Sequence, residues 1–170
     1  KRADVPIGGD FKNVLTELNK ELEQLKHKEW VDKIKEWKKE YPLVYREVSQ
    51  DKLIPQEVLE ELNNILKGDA IIVTDVGQHQ MWAAQFITYT NPDTIVTSGG
   101  AGTMGFGLPA AIGAQVAMPH KKVVLVVGDG GFQMTFQELM MIKQYKLPVK
   151  ILIINNSFLG MVRQWQEIFN

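Results

Sequence analysis

The spacing of apolar residues divides the chain into a helical first part and a second part in which helices and strands alternate. In the first part, apolar residues recur at helical spacing after Asp10, which is suited to cap a helix. They are Val14, Leu15, Leu18, Leu22 and Leu25. A stretch rich in lysine and glutamate follows, and its mixed charges are typical of a solvated helix surface.

From about Ile54 the pattern alternates, and a helix is predicted to begin at Pro55 and to end at Gly68. Short, β-branched apolar runs predict strands, at Ala70–Thr74, Thr94–Thr97, Lys122–Val127 and Val149–Ile154. Helical patterns lie between them, at Gln78–Ile87, Gly105–Met118 and Phe132–Tyr145. Buried strands separated by helices predict an α/β fold with a doubly wound parallel sheet flanked by helices.

The loops that follow the predicted strands are the expected place for a ligand. Sheets of this kind collect ligands at the carboxyl ends of their strands, where the chain leads into helices. All of these loops are rich in glycine or polar residues: Asp75–Gln80, Ser98–Met104, Gly128–Gly131 and Asn155–Gly160.

Charge and composition exclude several classes of partner and site. The chain has 19 lysines and arginines against 20 aspartates and glutamates, which gives no reason to expect nucleic acid or an anionic membrane as partner. It has no cysteine, and this excludes disulfides, thiolate metal sites and a cysteine nucleophile. No apolar run is long enough to span a bilayer, and the N-terminus lacks the apolar core of a signal peptide. We therefore expect a cytoplasmic protein.

A glycine-rich turn follows the third predicted strand, where Gly128, Asp129, Gly130 and Gly131 lead into a helix. Glycines allow a ligand to approach the backbone closely, and a helix start suits phosphate. Asp129 is placed to reach a cation that bridges such a phosphate. Taken alone, the turn is equally compatible with simple chain reversal, because glycine is common in turns.

The next predicted strand ends at Asn155 and Asn156, so an acid and an amide emerge at the same edge of adjacent parallel strands. A carboxylate, an amide oxygen and a nearby backbone carbonyl are hard ligands of the kind that Mg²⁺ prefers. The two asparagines could instead cap the following helix. Taken with the turn at Asp129, the pattern predicts a magnesium site.

Together, Gly128–Gly130 and Asn155–Asn156 resemble the metal-binding signature of thiamine-diphosphate-dependent enzymes. Longer segments resemble the catalytic subunit of acetohydroxyacid synthase, also called acetolactate synthase. These segments are Val76–Trp82, Ser98–Gly100 with Gly102–Pro109, and Asn155–Trp165. The resemblance covers nearly the whole chain, and the combined motifs are far more specific than a single glycine pattern.

The resemblance implies a role for each motif residue. Asp129, Asn156 and the backbone carbonyl of Phe158 would bind Mg²⁺, and Gly102 and Met104 would contact the aminopyrimidine of thiamine diphosphate. The remaining cofactor contacts would surround the diphosphate: Val76, Gly77, Gln78, His79, Gly128, Gly130 and Gly131. His79 could instead be an ordinary histidine at a helix start, and Met104 could be a core residue. Gly105–Gly107 would let the following helix pack closely.

Met161 and Trp165 are four residues apart, so they share one face of a helix. The resemblance implies that Trp165 lies beside the second substrate and favours 2-oxobutanoate over pyruvate. The same spacing would also fit an apolar stripe that packs in a core. The resemblance implies no catalytic residue in this chain, because the activating glutamate comes from the N-terminal domain of a partner subunit.

The family's reaction decarboxylates pyruvate and condenses the two-carbon unit with a second 2-oxo acid, giving 2-acetolactate or 2-aceto-2-hydroxybutanoate in branched-chain amino-acid biosynthesis. By resemblance, residues 1–25 are the tail of a middle domain, 26–48 a helical linker and 49–170 the thiamine-diphosphate-binding domain. Both ends are expected to continue into a longer protein, which leaves this domain incomplete at its C-terminus. The full-length enzyme would also bind FAD, form a homodimer or tetramer and associate with a small regulatory subunit. We expect the chain alone to be inactive.

Other functions remain open at this point. Another thiamine-diphosphate enzyme, such as pyruvate oxidase or glyoxylate carboligase, would share the metal signature, but the stretch Gly160–Trp165 favours acetohydroxyacid synthase. A nucleotide-binding or regulatory module would use the glycine-rich turn without catalysis. The sequence contains neither a GxxxxGK[ST] loop nor a Rossmann fingerprint with its downstream acid.

Overall fold

The computed structural model describes residues 2–45 and 52–169, and the chain divides into two compact units, Lys1–Val44 and Tyr45–Asn170. The first unit contains helix α1 (Phe11–Glu21) and helix α2 (Lys28–Glu40). The predicted boundary between a linker ending at residue 48 and a domain starting at residue 49 lies outside the described residues. Within the described ranges, every helix is too short or too polar to cross a bilayer.

Helix α1 begins as predicted but ends early. The side chain of Asp10 accepts a hydrogen bond of 3.0 Å from the backbone N–H of Asn13, which confirms the predicted cap. The helix stops at Glu21, so Leu22 and Leu25 lie outside it. No residue of α1 is buried, and without a packed face there is little to stabilise further turns.

The second unit alternates helices and strands in the order α3 (Pro55–Leu66), β1 (Ile71–Thr74), α4 (Gln78–Phe86), β2 (Ile95–Thr97), α5 (Gly107–Ala117), β3 (Val123–Gly128), α6 (Asp129–Thr135), a 3₁₀ turn (Phe136–Glu138), α7 (Leu139–Tyr145), β4 (Lys150–Ile154) and α8 (Gly160–Phe169). Each predicted strand is confirmed, with its ends shifted by no more than one residue. Pro55 begins α3 as predicted, and Lys67 ends it in the left-handed conformation just before Gly68.

The strands form one parallel sheet in the order β2-β1-β3-β4. The chain leaves β1 toward one edge to form β2 and then crosses back to form β3 on the other side of β1. This reversal makes the fold doubly wound, as predicted, and it places a crevice between the carboxyl ends of β1 and β3.

Each face of the sheet carries its own core. Ile72, Val124 and Val126 pack on one face with residues of α3 and α4, including Leu59 and Ala83. The opposite face packs mainly against α5, with partly buried residues of α6 and α7 beside it. The central strand β1 is buried at every position and β3 at all but its last residue, whereas β2 and β4 are partly exposed. The two most buried strands, β1 and β3, are therefore the ones whose carboxyl ends border the crevice.

The helix predicted at Phe132–Tyr145 differs most from the structure. Helix α6 begins at Asp129, immediately after β3, and a 3₁₀ turn separates it from α7. The break follows Thr135, whose backbone leaves the helical region (φ −136°, ψ 17°) while its hydroxyl donates to the carbonyl of Gly105 at 3.1 Å. The first turn of α6 consequently includes the Gly-Asp-Gly motif itself.

Candidate functional site

A cavity of about 510 Å³ lies at the carboxyl ends of the strands, a size typical of small-molecule sites. It includes the crevice between β1 and β3 and extends to the start of α8. Every residue predicted to bind cofactor, bind metal or contact substrate lines it: Val76, Gly77, Gln78, His79, Gly102, Met104, Gly128, Asp129, Gly130, Gly131, Asn156, Phe158, Met161 and Trp165.

Asp129 and Asn156 emerge at the same edge of the sheet. Strands β3 and β4 are parallel neighbours with Gly128 opposite Ile154, and adjacent strands lie about 4.8 Å apart. Asp129 is partly buried and has no hydrogen-bond or ion-pair partner within residues 2–45 and 52–169. An acid in this position at the start of a helix is free to bind a cation.

The amide oxygen of Asn156 accepts a hydrogen bond of 3.1 Å from the backbone N–H of Phe158. This turn holds the segment that carries the Phe158 carbonyl close to the Asn156 side chain. An amide oxygen has two lone pairs, so one remains for a metal ion. The described residues contain no cluster of three histidine, cysteine, aspartate or glutamate side chains suited to a metal, and the predicted ligand set needs only one carboxylate.

Gly130 and Gly131 follow Asp129 in the first turn of α6, where backbone N–H groups have no partner within the helix. A side chain at Gly130 would place its Cβ 2.7 Å from Leu159 Cδ2, and one at Gly131 would overlap the carboxyl oxygen of Asp75. Gly131 has no room for a side chain beside Asp75, whereas a side chain at Gly130 would require the end of the Leu159 side chain to move. The N–H groups of this first turn suit a phosphate.

His79 is 5% exposed, and its ring packs against the backbones of Gly77 and Gly128. Burial lowers the pKa of His79 below its usual 6.5, against the opposing charges of Asp75 and Asp129, so the ring is neutral at pH 7. Its Nε2 atom has no hydrogen-bond partner in the part of the chain that the structure describes. A buried polar atom without a partner is costly, and this one lies in the wall of the cavity.

Gln78 was predicted to reach a diphosphate. It lines the cavity, but its side-chain Nε2 donates to Oε1 of Gln164 on α8 at 3.1 Å. Its own Oε1 lies beside Gly160, where a Cβ would overlap it. The side chain of Gln78 therefore connects the start of α4 to the first turns of α8.

Met161 and Trp165 lie on α8, as their spacing predicted, but they do not form a core stripe. Trp165 is 60% exposed, and no residue of α8 is buried. The Trp165 ring stacks on Phe169 with the ring centroids 5.0 Å apart. This arrangement leaves the indole available at the cavity rim.

Several residues of the site were missed by the sequence reasoning. The cavity is also lined by Trp82, Ile154, Leu159, Gly160, Val162 and Gln166. Val162 lies three residues before Trp165 and four before Gln166 on α8, so the helical spacing could have found Val162 and Gln166. The others lie in or next to the predicted motifs. Asp75 was noted only as the first residue of a loop, although it is completely buried and contacts two other elements of the site.

Comparison with known proteins agrees with the geometry. Residues 75–170, more than half of the chain, match the family model described as thiamine pyrophosphate enzyme, C-terminal TPP binding domain. The chain belongs to this family. The match includes the loops after β1, β3 and β4, and it confirms the predicted fold and its link to thiamine diphosphate.

The wider resemblance to acetolactate synthase is also confirmed. The chain is 48% identical over 99% of its length to the acetolactate synthase large subunit of Lactococcus lactis. It is 44% identical over 98% of its length to the isozyme 3 large subunit of Escherichia coli. It is 46% identical over 99% of its length to the mitochondrial catalytic subunit of Saccharomyces cerevisiae. The chain spans 29%, 30% and 25% of these relatives, respectively.

Proposed function

We propose that this chain is the thiamine-diphosphate-binding part of an acetolactate synthase catalytic subunit. The complete enzyme would decarboxylate pyruvate and join the two-carbon unit to pyruvate or 2-oxobutanoate, for branched-chain amino-acid biosynthesis. One observation carries the proposal: a chain 48% identical to such a subunit over 99% of its length gathers all its predicted cofactor contacts in one cavity.

The residues of the cavity fit a magnesium-bound diphosphate. Asp129, the amide oxygen of Asn156 and the carbonyl of Phe158 are hard oxygen donors at one edge of the sheet, as Mg²⁺ prefers. The N–H groups at the start of α6 would donate to the diphosphate. The unpartnered Nε2 of His79 would gain the hydrogen bond that it lacks.

Gly102 and Met104 line the same cavity from the loop before α5, and we propose that they contact the aminopyrimidine ring. Thiamine diphosphate, when bound, supplies the electron sink that decarboxylation requires. The protein's part is to hold the two ends of the cofactor so that its reactive carbon meets the substrate. Orientation of this kind can lower a barrier by several kcal/mol, up to about 11 kcal/mol in the best cases.

Met161 and Trp165 form the rim of the cavity from α8, where the second substrate would lie. An indole there would favour 2-oxobutanoate over pyruvate, because one extra methylene in an apolar pocket is worth about 1–3 kcal/mol. The substantial exposure of Trp165 leaves its ring free to make this contact.

The remaining parts of the proposed enzyme lie outside this chain. They are FAD, the activating glutamate from the N-terminal domain of a partner subunit, a homodimeric or tetrameric assembly, and a small regulatory subunit. Residues 1–25 would end the middle domain, 26–48 would be the linker and 49–170 the cofactor domain. We propose a cytoplasmic location, and no carboligase activity for the chain alone.

The test uses the longer polypeptide that we propose contains this chain, called the complete subunit below. In calorimetry, the complete subunit should bind thiamine diphosphate only when Mg²⁺ is present, and it should not bind Mg-ATP. It should form acetolactate from pyruvate, and the 170-residue chain should not. Binding of Mg-ATP with indifference to thiamine diphosphate would identify a nucleotide-binding module instead and would overturn the proposal.

A further inference from the structure

Asp75 directly follows strand β1 and is completely buried, with an exposed fraction of 0%. Its carboxyl group accepts three hydrogen bonds from backbone N–H groups. Val76 donates at 2.8 Å, Gly105 at 3.1 Å and Gly107 at 2.7 Å. Two of these donors lie 30 and 32 residues further along the chain, so this side chain connects β1 to the loop that precedes α5.

Asp75 also replaces a missing helix cap. Helix α5 begins at Gly107, and the preceding residue, Phe106, has a helical backbone and no side-chain capping hydrogen bond. The first N–H groups of a helix lack partners within it, and a carboxyl group near them is favoured by the helix dipole. The cap that α5 cannot obtain from its own flanking residue comes from the end of β1.

Two helices approach Asp75 closely through glycines, Gly107 on α5 and Gly131 on α6, where a larger residue would collide with Asp75. A Cβ at Gly107 would lie 2.9 Å from the Cβ of Asp75 and 3.0 Å from its backbone nitrogen. A Cβ at Gly131, in the first turn of α6, would overlap the carboxyl oxygen. Thus β1, α5 and α6 converge on this one carboxyl group.

A residue that donates a hydrogen bond to Asp75 is adjacent in sequence to residues that line the cavity. Gly102 and Met104 line it, and Gly105 follows them at once. The Gly105 N–H donates to Asp75, while its carbonyl accepts from Thr135 Oγ1 at 3.1 Å. Both peptide groups that flank Gly105 are therefore hydrogen-bonded, one to Asp75 after β1 and the other to Thr135 at the end of α6.

We propose that Asp75 is a positioning residue that sets the distance between the two ends of the cofactor site. It holds the segment carrying Gly102 and Met104 in register with the diphosphate-binding turn at Gly128–Gly131. Asp75 does not line the cavity, so it acts through these segments and not by contact with the ligand. The inference rests on the proposed function, because it takes the two ends to be those of thiamine diphosphate.

The decisive variant is Asp75→Asn in the complete subunit, with Mg²⁺ present and two ligands compared by calorimetry. Asparagine keeps the size of the side chain but turns one acceptor into a donor that faces a backbone N–H. An unsatisfied buried donor is costly. Here the cost falls on the N–H of Gly107 at the start of α5 or, with the amide reversed, on that of Gly105 in the loop before it. We expect affinity for thiamine diphosphate to fall by about tenfold or more, and affinity for inorganic pyrophosphate, which probes only the diphosphate end, to change by less than about twofold.

Gln115 supplies a matched control for loss of a buried anchor on α5. It is 1% exposed, and its side-chain Nε2 donates to the carbonyls of Met118 and Lys121 beyond the opposite end of the helix. Gln115→Met should lower the melting temperature while leaving the ratio of the two affinities unchanged. If the role of Asp75 were purely structural, Asp75→Asn would also leave the ratio of thiamine diphosphate affinity to pyrophosphate affinity unchanged.

Thr135→Val is a milder variant, and it tests the positioning role if Asp75→Asn does not fold. It removes only the hydroxyl that donates to Gly105, and it should weaken thiamine diphosphate binding severalfold with little effect on pyrophosphate. Unchanged thiamine diphosphate binding, or an equal loss for both ligands, would overturn the positioning role alone. Failure of the unmodified subunit to bind thiamine diphosphate would overturn the proposed function, and the inference with it.

Discussion

The two walls of the cavity are built differently. The inner wall, residues 76–79 and 128–131, follows the central strands β1 and β3, which are buried almost throughout. The outer wall, residues 156–166, follows the edge strand β4 and includes most of α8, which has no buried residue. A site that must hold charged groups at fixed distances benefits from a rigid support, and the inner wall supplies it.

The contacts within each wall also differ, being buried in the inner wall and exposed in the outer wall. His79 on the inner wall packs closely against Gly77 and Gly128, where an added Cβ would lie 3.0–3.2 Å from its ring. On the outer wall, the guanidinium of Arg163 lies over the Phe158 ring at 4.2 Å and pairs with Glu167 at 2.6 Å. Exposed contacts of this type contribute little to stability. We therefore expect changes at the inner wall to affect both binding and folding. Changes on α8, which carries no proposed metal ligand, should affect mainly substrate choice.

The largest effect is expected for Asp129→Ala on the inner wall. Loss of the only carboxylate of the proposed magnesium site should reduce Mg-dependent affinity for thiamine diphosphate by about a hundredfold or more, since a charged ligand is removed. Calorimetry on the complete subunit measures this. Asp69→Ala is the control, because that carboxylate lies just before β1, at the amino ends of the strands, where it pairs with Lys121 at 3.3 Å. Unchanged binding in Asp129→Ala would remove the metal assignment.

A second test compares two glycines of the same helix. A methyl group at Gly107 would lie 2.9 Å from both Asp75 Cβ and Leu125 Cδ1, whereas one at Gly113 would meet nothing within 4 Å. Gly107→Ala should lower the free energy of unfolding by about 1–3 kcal/mol through overpacking. Gly113→Ala should raise it by up to about 1 kcal/mol through helix propensity. Urea denaturation measures both, and equal changes would show that the close approach to Asp75 is unimportant.

His79 should make folding stability depend on pH. Because burial lowers its pKa in the folded state below the usual 6.5, the unfolded chain binds more protons between those two values. The free energy of unfolding should therefore fall as the pH decreases through this window. His79→Gln should reduce that dependence, as measured by urea denaturation at about pH 7.5 and about pH 5.5. Identical pH profiles for both proteins would contradict the burial of a neutral ring.

The smallest effect on stability is expected at the outer wall. Trp165→Leu should change the free energy of unfolding by less than about 1 kcal/mol, because the side chain is 60% exposed. In the complete subunit, it should reduce the preference for 2-oxobutanoate over pyruvate by roughly tenfold. Competition between the two 2-oxo acids measures this ratio. A large loss of stability with an unchanged ratio would assign Trp165 to folding instead.

Much of the fold and of the candidate site could be predicted because the signals are local. Strands β3 and β4 are short apolar runs, and the residues at their carboxyl ends must emerge at one edge of a parallel sheet. The sequence alone therefore places Gly128, Asp129 and Asn156 at the same edge of the sheet. The resemblance in motif residues then extended the set to His79, Met104 and Trp165.

Other features depended on contacts between distant segments. Sequence spacing could not show that Asp75 caps a helix that begins at Gly107, or that Gln78 donates to Gln164. It also could not show that α6 starts at Asp129 and breaks after Thr135, whose hydroxyl reaches Gly105.

The amino-acid sequence alone determined where strands, turns and ligand-facing residues occur, because those depend on side-chain periodicity and backbone freedom over a few neighbouring residues. Only the tertiary structure decided how the strand ends are held relative to one another. That arrangement depends on hydrogen bonds and close packing between segments 30 or more residues apart, and local patterns carry no information about such pairings.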